Sequence, residues 1–196
     1  MKAFFDTDQS MKYLWTVLAC VFVVGCVTTQ TNEKLPPAEK ASDFYPVALG
    51  NAWAHLVTSH DTNEQVLVTS RIAKADPEGF VITTGAQNVA IARKPDGFFK
   101  PQSGYYILKD PIQPGAVWKM RDTDGVVTIN AVAKTTTVAA GKFKNCLLVT
   151  EEIPGSQRAE IVYAPGVGPI SMKVYSLEIE PPLLLVSSEL KGYQIQ

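Results

Sequence analysis

From Phe44 onward, turn-forming residues recur every eight to fourteen positions, and this spacing limits the fold more than any other feature. Asp61-Thr62-Asn63, Asp76-Pro77-Glu78-Gly79, Lys94-Pro95-Asp96-Gly97, Pro111 to Gly115, Asp122 to Gly125, Ala140-Gly141-Lys142, Pro154-Gly155 and Glu180-Pro181-Pro182 punctuate the chain. Between them stand short runs rich in Val, Thr and Ile, residues that suit a pleated, half-buried surface. The runs are 53–60, 65–75, 80–84, 87–93, 105–109, 116–121, 126–138, 143–153, 158–164, 170–176 and 183–193. No stretch after Cys26 keeps a helical apolar period for long. Linkers this short cannot carry the dozen or more residues of a parallel crossover, so neighbouring runs pair antiparallel. The expected fold is all-β, an antiparallel meander curled around its apolar face into a strongly curved sheet or open barrel. A two-sheet β-sandwich is the alternative. Asp124-Gly125 carries the signal of a tight hairpin.

Little in these runs points to a reaction. The two histidines, His55 and His60, are separated by an odd number of positions, so one strand would send them to opposite faces, where they could not share a metal. No CxxC, HExxH or GxSxG spacing occurs. Gly141-Lys142-Phe143 lacks the Ser or Thr of a phosphate loop, and Gly166-Val167-Gly168 opens a strand rather than a helix. Asp122-Thr123-Asp124-Gly125 has a fragment of a calcium loop without the remaining ligands. No cofactor or metal is implied, and no catalytic residue can be assigned. The net charge of −1 lacks the basic excess that nucleic acid demands. Residues 93–121 are basic and residues 151–189 acidic, a pattern that usually marks solvated faces. Phe98-Phe99 and Tyr105-Tyr106 each send one ring to either face of a strand. They form a candidate contact patch for a protein partner or an apolar ligand, against the plainer reading of rings half covered near a sheet edge.

The other informative stretch is Met11 to Cys26. Lys12 gives a positive start, Tyr13 to Val24 an apolar core of twelve residues, and Gly25 a small residue before Cys26. That is the layout of an export signal, and it is too short for a comfortable membrane span, which takes about 20 apolar residues. Asp6 and Asp8 are out of place in a basic leader, so Met11 is the expected start, with a lone helix near residues 11–25. Residues 1–25 are expected to be removed. The 171 residues that remain keep a net charge of −1 and suffice for one domain. Residues 26–43 read as a polar tether with Pro36-Pro37, and 44–196 as a single β-rich domain. Cys20 leaves with the leader, so Cys146, in a strand-like run, is read as a buried small apolar residue.

Val23-Val24-Gly25-Cys26 resembles the lipobox of bacterial lipoproteins. The resemblance implies cleavage between Gly25 and Cys26 and acylation of Cys26; several acyl chains would hold far longer than one, since each buried methylene is worth about 0.8 kcal/mol. In the enterobacterial pattern, Val27 in place of Asp implies the outer membrane, facing the periplasm. Phe44 to Trp53 (FYPVALGNAW), Pro111 to Trp118, Ala140 to Val149 and Tyr163-Ala164-Pro165-Gly166-Val167-Gly168 together resemble a family of uncharacterised β-rich envelope lipoprotein domains. That resemblance implies a fold and an address but no reaction. In the last motif Pro165, Gly166 and Gly168 suit a turn, with Tyr163 packed beneath it. The expected role is binding or scaffolding at a membrane, through a lipid anchor, with an envelope protein as partner. Carriage of an apolar ligand on a concave sheet, as in proteins resembling lipid chaperones, is the alternative, and an envelope hydrolase the rival from another class. Carriage requires an open apolar cavity; a concave face filled by its own side chains would remove it.

Overall fold

The computed structural model describes residues 39–121 and 123–196. The expectations for Gly25, Cys26 and a helix over 11–25 lie outside the described residues.

Alternation along the first strand shows how the sequence builds the body. In β1 (Ala52–Ser59), Trp53 is buried, while His55 and Val57, two and four residues on, line the same inner face. Eleven more strands follow: β2 (Gln65–Asp76), β3 (Gly79–Thr84), β4 (Gln87–Lys94), β5 (Gly97–Lys100), β6 (Tyr105–Lys109), β7 (Val117–Lys119), β8 (Val126–Val138), β9 (Gly141–Ile153), β10 (Gln157–Ala164), β11 (Gly168–Ser176) and β12 (Leu183–Gln194). A single four-residue helix, α1 (Ala41–Phe44), precedes them among the described residues.

The strands form one sheet in the order β6-β5-β4-β3-β2-β1-β12-β11-β10-β9-β8-β7. Two antiparallel meanders, β1 to β6 and β7 to β12, are joined where β1 meets β12, from Ala52↔Gln194 to Ser59↔Val186. The sheet curls into a nearly closed barrel shape, as the turn spacing implies; the sandwich is not adopted. Its two edges are β6 and β7, neighbours in the chain. Side chain and loop stitch them: Trp118 donates its indole N–H to the Tyr106 carbonyl at 2.7 Å, and the Arg121 amide reaches the Gly104 carbonyl at 3.2 Å.

Register fixes what lies at each end. One end carries the starts of β1 and β11 and the ends of β10 and β12. Here the chain folds a plug of its own residues. Ala41, Phe44 and Tyr45 are buried. The Ala41 amide donates to Asp110 Oδ1 at 2.6 Å, and the Gly166 amide to the Asp43 carbonyl at 2.7 Å. The body therefore begins earlier than the expected boundary: residues 39–43, read as tether, are docked on it. Their polar composition hides Ala41, which stands at helical spacing from Phe44, the first residue of the expected body. Asn51 ties the plug to both termini of the sheet; it is fully buried, donates to the Pro46 carbonyl and accepts from the Gln196 amide.

Two further details differ from expectation. Phe98 and Phe99 lie on a strand, as the doublet reading expects, but it is a separate one, β5, absent from the expected runs because four residues are too few to show a period. Asp124-Gly125 does not form a two-residue turn. Pairing of β7 with β8 stops at Lys119↔Val126, and the wider loop closes through the Met120 amide on the Gly125 carbonyl at 2.9 Å. The far end of the β8–β9 hairpin bends over β12, where the Ala140 amide donates to the Leu190 carbonyl at 3.0 Å. Cys146, at the base of that bend, is fully buried, and burial pushes its thiol pKa up.

Candidate ligand cavity

Above the plug the barrel is not filled. A cavity of about 400 Å³ is walled by aliphatic side chains, among them Val57, Val68, Ile82, Val89 and Ile107. Its floor is aromatic. Tyr45 lies with its ring 5.5 Å from Phe80, 5.8 Å from Trp53, 6.0 Å from Phe98 and 6.2 Å from Tyr163, in edge-on or tilted contacts of the kind aromatic rings prefer. Burial raises the phenol pKa of both Tyr45 and Tyr163, so both stay protonated.

Polar groups on the walls are few. His55 donates Nε2–H to the Pro169 carbonyl at 3.0 Å; burial lowers the ring's pKa against the pull of that bond, which leaves a neutral imidazole near pH 7. At the neck, Tyr105 donates its hydroxyl to Glu151 Oε2 at 2.8 Å, a bond from β6 to β9 across the seam. Glu151 is the anomaly of its strand: Leu147, Val149 and Ile153 share its face. Burial raises its carboxyl pKa, opposed by the Tyr105 hydrogen bond and by the charge of Lys100. Tyr105 is pushed up too, by burial first and by Glu151 second.

Beyond the neck lies a second chamber of about 360 Å³, which shares Lys100, Tyr105 and Glu151 with the first. Its remaining walls mix the polar Ser103, Arg121, Thr123 and Gln157 with the apolar Met120, Ile153 and Ala159. Lys100 closes β5 and Arg121 follows β7, so the two cations come from opposite margins of the sheet. Among the described residues no cluster of three His, Cys, Asp or Glu side chains is placed to hold a metal ion.

The residues singled out from sequence divide between the two faces. Phe98 is buried against Tyr45 and Phe80, and Tyr105 turns into the cavity neck. Phe99 and Tyr106 turn outward and pack edge to face at 5.3 Å, with the Arg121 guanidinium and the Lys109 ammonium over their rings. The four rings thus share no single surface. His60 bonds Ser187 Oγ at 2.8 Å, apart from His55. Ala164 to Gly168 form the turn between β10 and β11, with Gly166 at φ +68° and Gly168 at φ +105°, and Tyr163 is buried beside it. Sequence reasoning missed Lys100, Glu151 and Arg121 as a group. Glu151's place on an apolar stripe was the one local signal.

Fold and cavity together define an all-β barrel, plugged at one end, with an apolar interior and a charged neck. No family model matches the chain, and no curated protein matches it. Two solved structures are similar to it. One, from Bacteroides fragilis, is described as a "putative exported protein with YmcC-like fold"; it shares 12% identity over 77% of this chain and 98% of its own, with a TM-score of 0.46. The other, a "putative lipoprotein" from Parabacteroides distasonis, shares 14% identity over 78% of this chain and 98% of its own, with a TM-score of 0.43. Likeness at that level carries no argument about what this chain does.

Proposed function

We propose that this chain is a lipid-anchored binding protein of the bacterial envelope whose barrel holds an apolar small molecule. The observation that carries the reading is the cavity. Carriage demands an open apolar interior, and about 400 Å³ bounded by aliphatic walls meets that demand and falls in the range of small-molecule sites. The reading casts the chain as a binder rather than an enzyme, in keeping with a His55 whose Nε2 is occupied by a backbone carbonyl. The address rests on sequence: the apolar leader and Val23-Val24-Gly25-Cys26 support acylation at Cys26, and Val27 supports the outer membrane facing the periplasm. Glu39 lies at the plugged end, where its carbonyl accepts from the Ile112 amide at 3.2 Å, and the other end of the barrel is free of that plug.

The binding test is calorimetric titration of the full chain in nanodiscs with decanol, against empty nanodiscs. Saturable uptake, lost when Ile82→Trp fills the cavity of a protein that still unfolds cooperatively, is the expected result; no uptake by the unsubstituted chain would overturn it. For the anchor, metabolic labelling with a fatty-acid analogue should mark the chain and fail on Cys26→Ser. A label that survives that change refutes acylation at this residue.

A partner protein at the free end is favoured by one observation. Val66, Leu67, Ile179 and Leu183, on or beside the ends of β2 and β12 that flank β1, are between 49% and 61% exposed. Crosslinking from intact envelopes would show whether that rim is covered.

A further inference from the structure

We infer that the two chambers form one site for a single-chain anionic amphiphile, with the alkyl chain in the aliphatic chamber and the acidic head beyond the neck, between Lys100 and Arg121. The inference rests on the binding reading above and adds the chemistry of the ligand.

Three observations converge. The chambers share Lys100, Tyr105 and Glu151, so they are one space divided at a neck rather than two unrelated hollows. Their linings differ in degree: the inner walls are mainly Val and Ile over an aromatic floor, the outer ones set Ser103, Thr123, Gln157 and Arg121 among Met120, Ile153 and Ala159, and Lys100 is common to both. The charges are unbalanced. Among the described residues Lys100 and Arg121 make no ion pair; Lys100 lies 6.0 Å from the Tyr105 ring and acts on Glu151 through its charge, and the Arg121 guanidinium lies 5.8 Å from the outward-turned Phe99 ring. Glu151, the one carboxylate in the described lining of the outer chamber, is held by the Tyr105 hydroxyl and disfavoured as an anion by burial. Two cations beside a single carboxyl leave an excess of positive charge that attracts an anion, and an ammonium or guanidinium meeting a carboxylate or phosphate makes the stronger class of hydrogen bond. An apolar tail on that anion explains why the space continues inward.

A carboxylate and a phosphate monoester share this chemistry, so both are tested. The full chain in nanodiscs is titrated with decanoate, decyl phosphate, decanol and decylammonium. One or both anionic ligands should bind about tenfold or more tighter than decanol, and decylammonium weakest. Which anion is the tighter tells a fatty acid from a phosphorylated lipid. The double variant Lys100→Gln, Arg121→Gln should bring the affinities for the anionic ligands down to within about twofold of that for decanol, the ratio being the readout; where it fails to unfold cooperatively, each single variant should lower the same ratio. If decanol binds and neither anion binds tighter, or decylammonium binds tightest, the head assignment falls while the cavity reading stands. If none of the four binds, both fall.

Discussion

Gly168→Ala probes the packing that closes the plugged end. Gly168 has φ +105°, where an L side chain is strained; for left-handed backbone the cost is about 1–2 kcal/mol. A Cβ there would stand 3.1 Å from Trp53 Nε1 and 3.3 Å from Cε2 and Cζ2, inside the 3.5–4.0 Å at which such atoms rest. The indole cannot retreat easily, because Trp53 is 1% exposed and its N–H is bonded to the Val167 carbonyl at 2.6 Å. Overpacking of this kind costs about 1–3 kcal/mol. The sum, about 2–5 kcal/mol, is a large part of a typical domain stability of about 5–15 kcal/mol. Gly166→Ala is the internal control: φ is +68° but nothing lies within 4 Å, so only the backbone component applies, about 1–2 kcal/mol. Trp53→Phe is destabilising by itself, since it leaves the Val167 carbonyl without its donor, yet it removes the atoms that a Cβ at position 168 would strike. Urea unfolding of the four members of the cycle should therefore show Gly168→Ala and Trp53→Phe coupled by about 1–3 kcal/mol, the double variant less damaged than the sum. Gly166→Ala should add to Trp53→Phe without coupling. Additivity at position 168, or a Gly168→Ala loss no larger than that of Gly166→Ala, would refute the contact.

Two other outcomes follow from the neck and the seam. Burial raises the Glu151 pKa, so the folded chain holds that proton more tightly than the unfolded one; its contribution to stability is greatest below the unfolded value, about 4.3, and declines as pH rises through the higher folded value. Glu151→Gln should therefore stabilise the ligand-free chain at pH 7 and flatten this decline, read from urea midpoints across pH, and a variant no more stable at pH 7 than at pH 4 relative to the parent would contradict it. Trp118→Phe removes the indole bond to the Tyr106 carbonyl, worth about 1 kcal/mol. Hydrogen exchange should quicken in β6 and β7 while β1 and β12 stay protected; uniform protection would show that the seam is held by something else.

The meander was legible because each hairpin is a local event. Turn residues and the runs beside them settle β1–β2 or β9–β10 without help from the rest of the chain. The doublets were legible in part: a strand must send Phe98 and Phe99 apart, but which ring goes inward depends on the curl of the sheet. Residues 39–43 look like tether because their contacts are supplied by Asp110, Ile112 and Gly166, far along the chain. The neck was illegible for a stronger version of the same cause. Lys100, Glu151 and Arg121 meet because β6 and β7, neighbours in sequence, become opposite edges of one sheet that closes back on itself, and no local pattern encodes that.

Closure also explains why there is a cavity at all. About eight strands make a barrel that side chains can fill, and width grows with strand number. Twelve strands joined at β1–β12 enclose more than their own inward residues occupy. The chain fills one end with its largest rings, Trp53, Tyr45, Phe80, Phe98 and Tyr163, drawn from five separate segments. Higher up, beside the larger His55, Ile82, Ile107, Ile161 and Met172, six inward positions hold small side chains: Val57, Val68, Ser70, Val89, Ser171 and Ser188. A sequence under pressure only for stability would place Phe or Met there, since each buried Phe or Met contributes roughly 1.5–3 kcal/mol. Small side chains at these positions above a packed floor leave space open at the expense of that gain, as the proposed binding role requires.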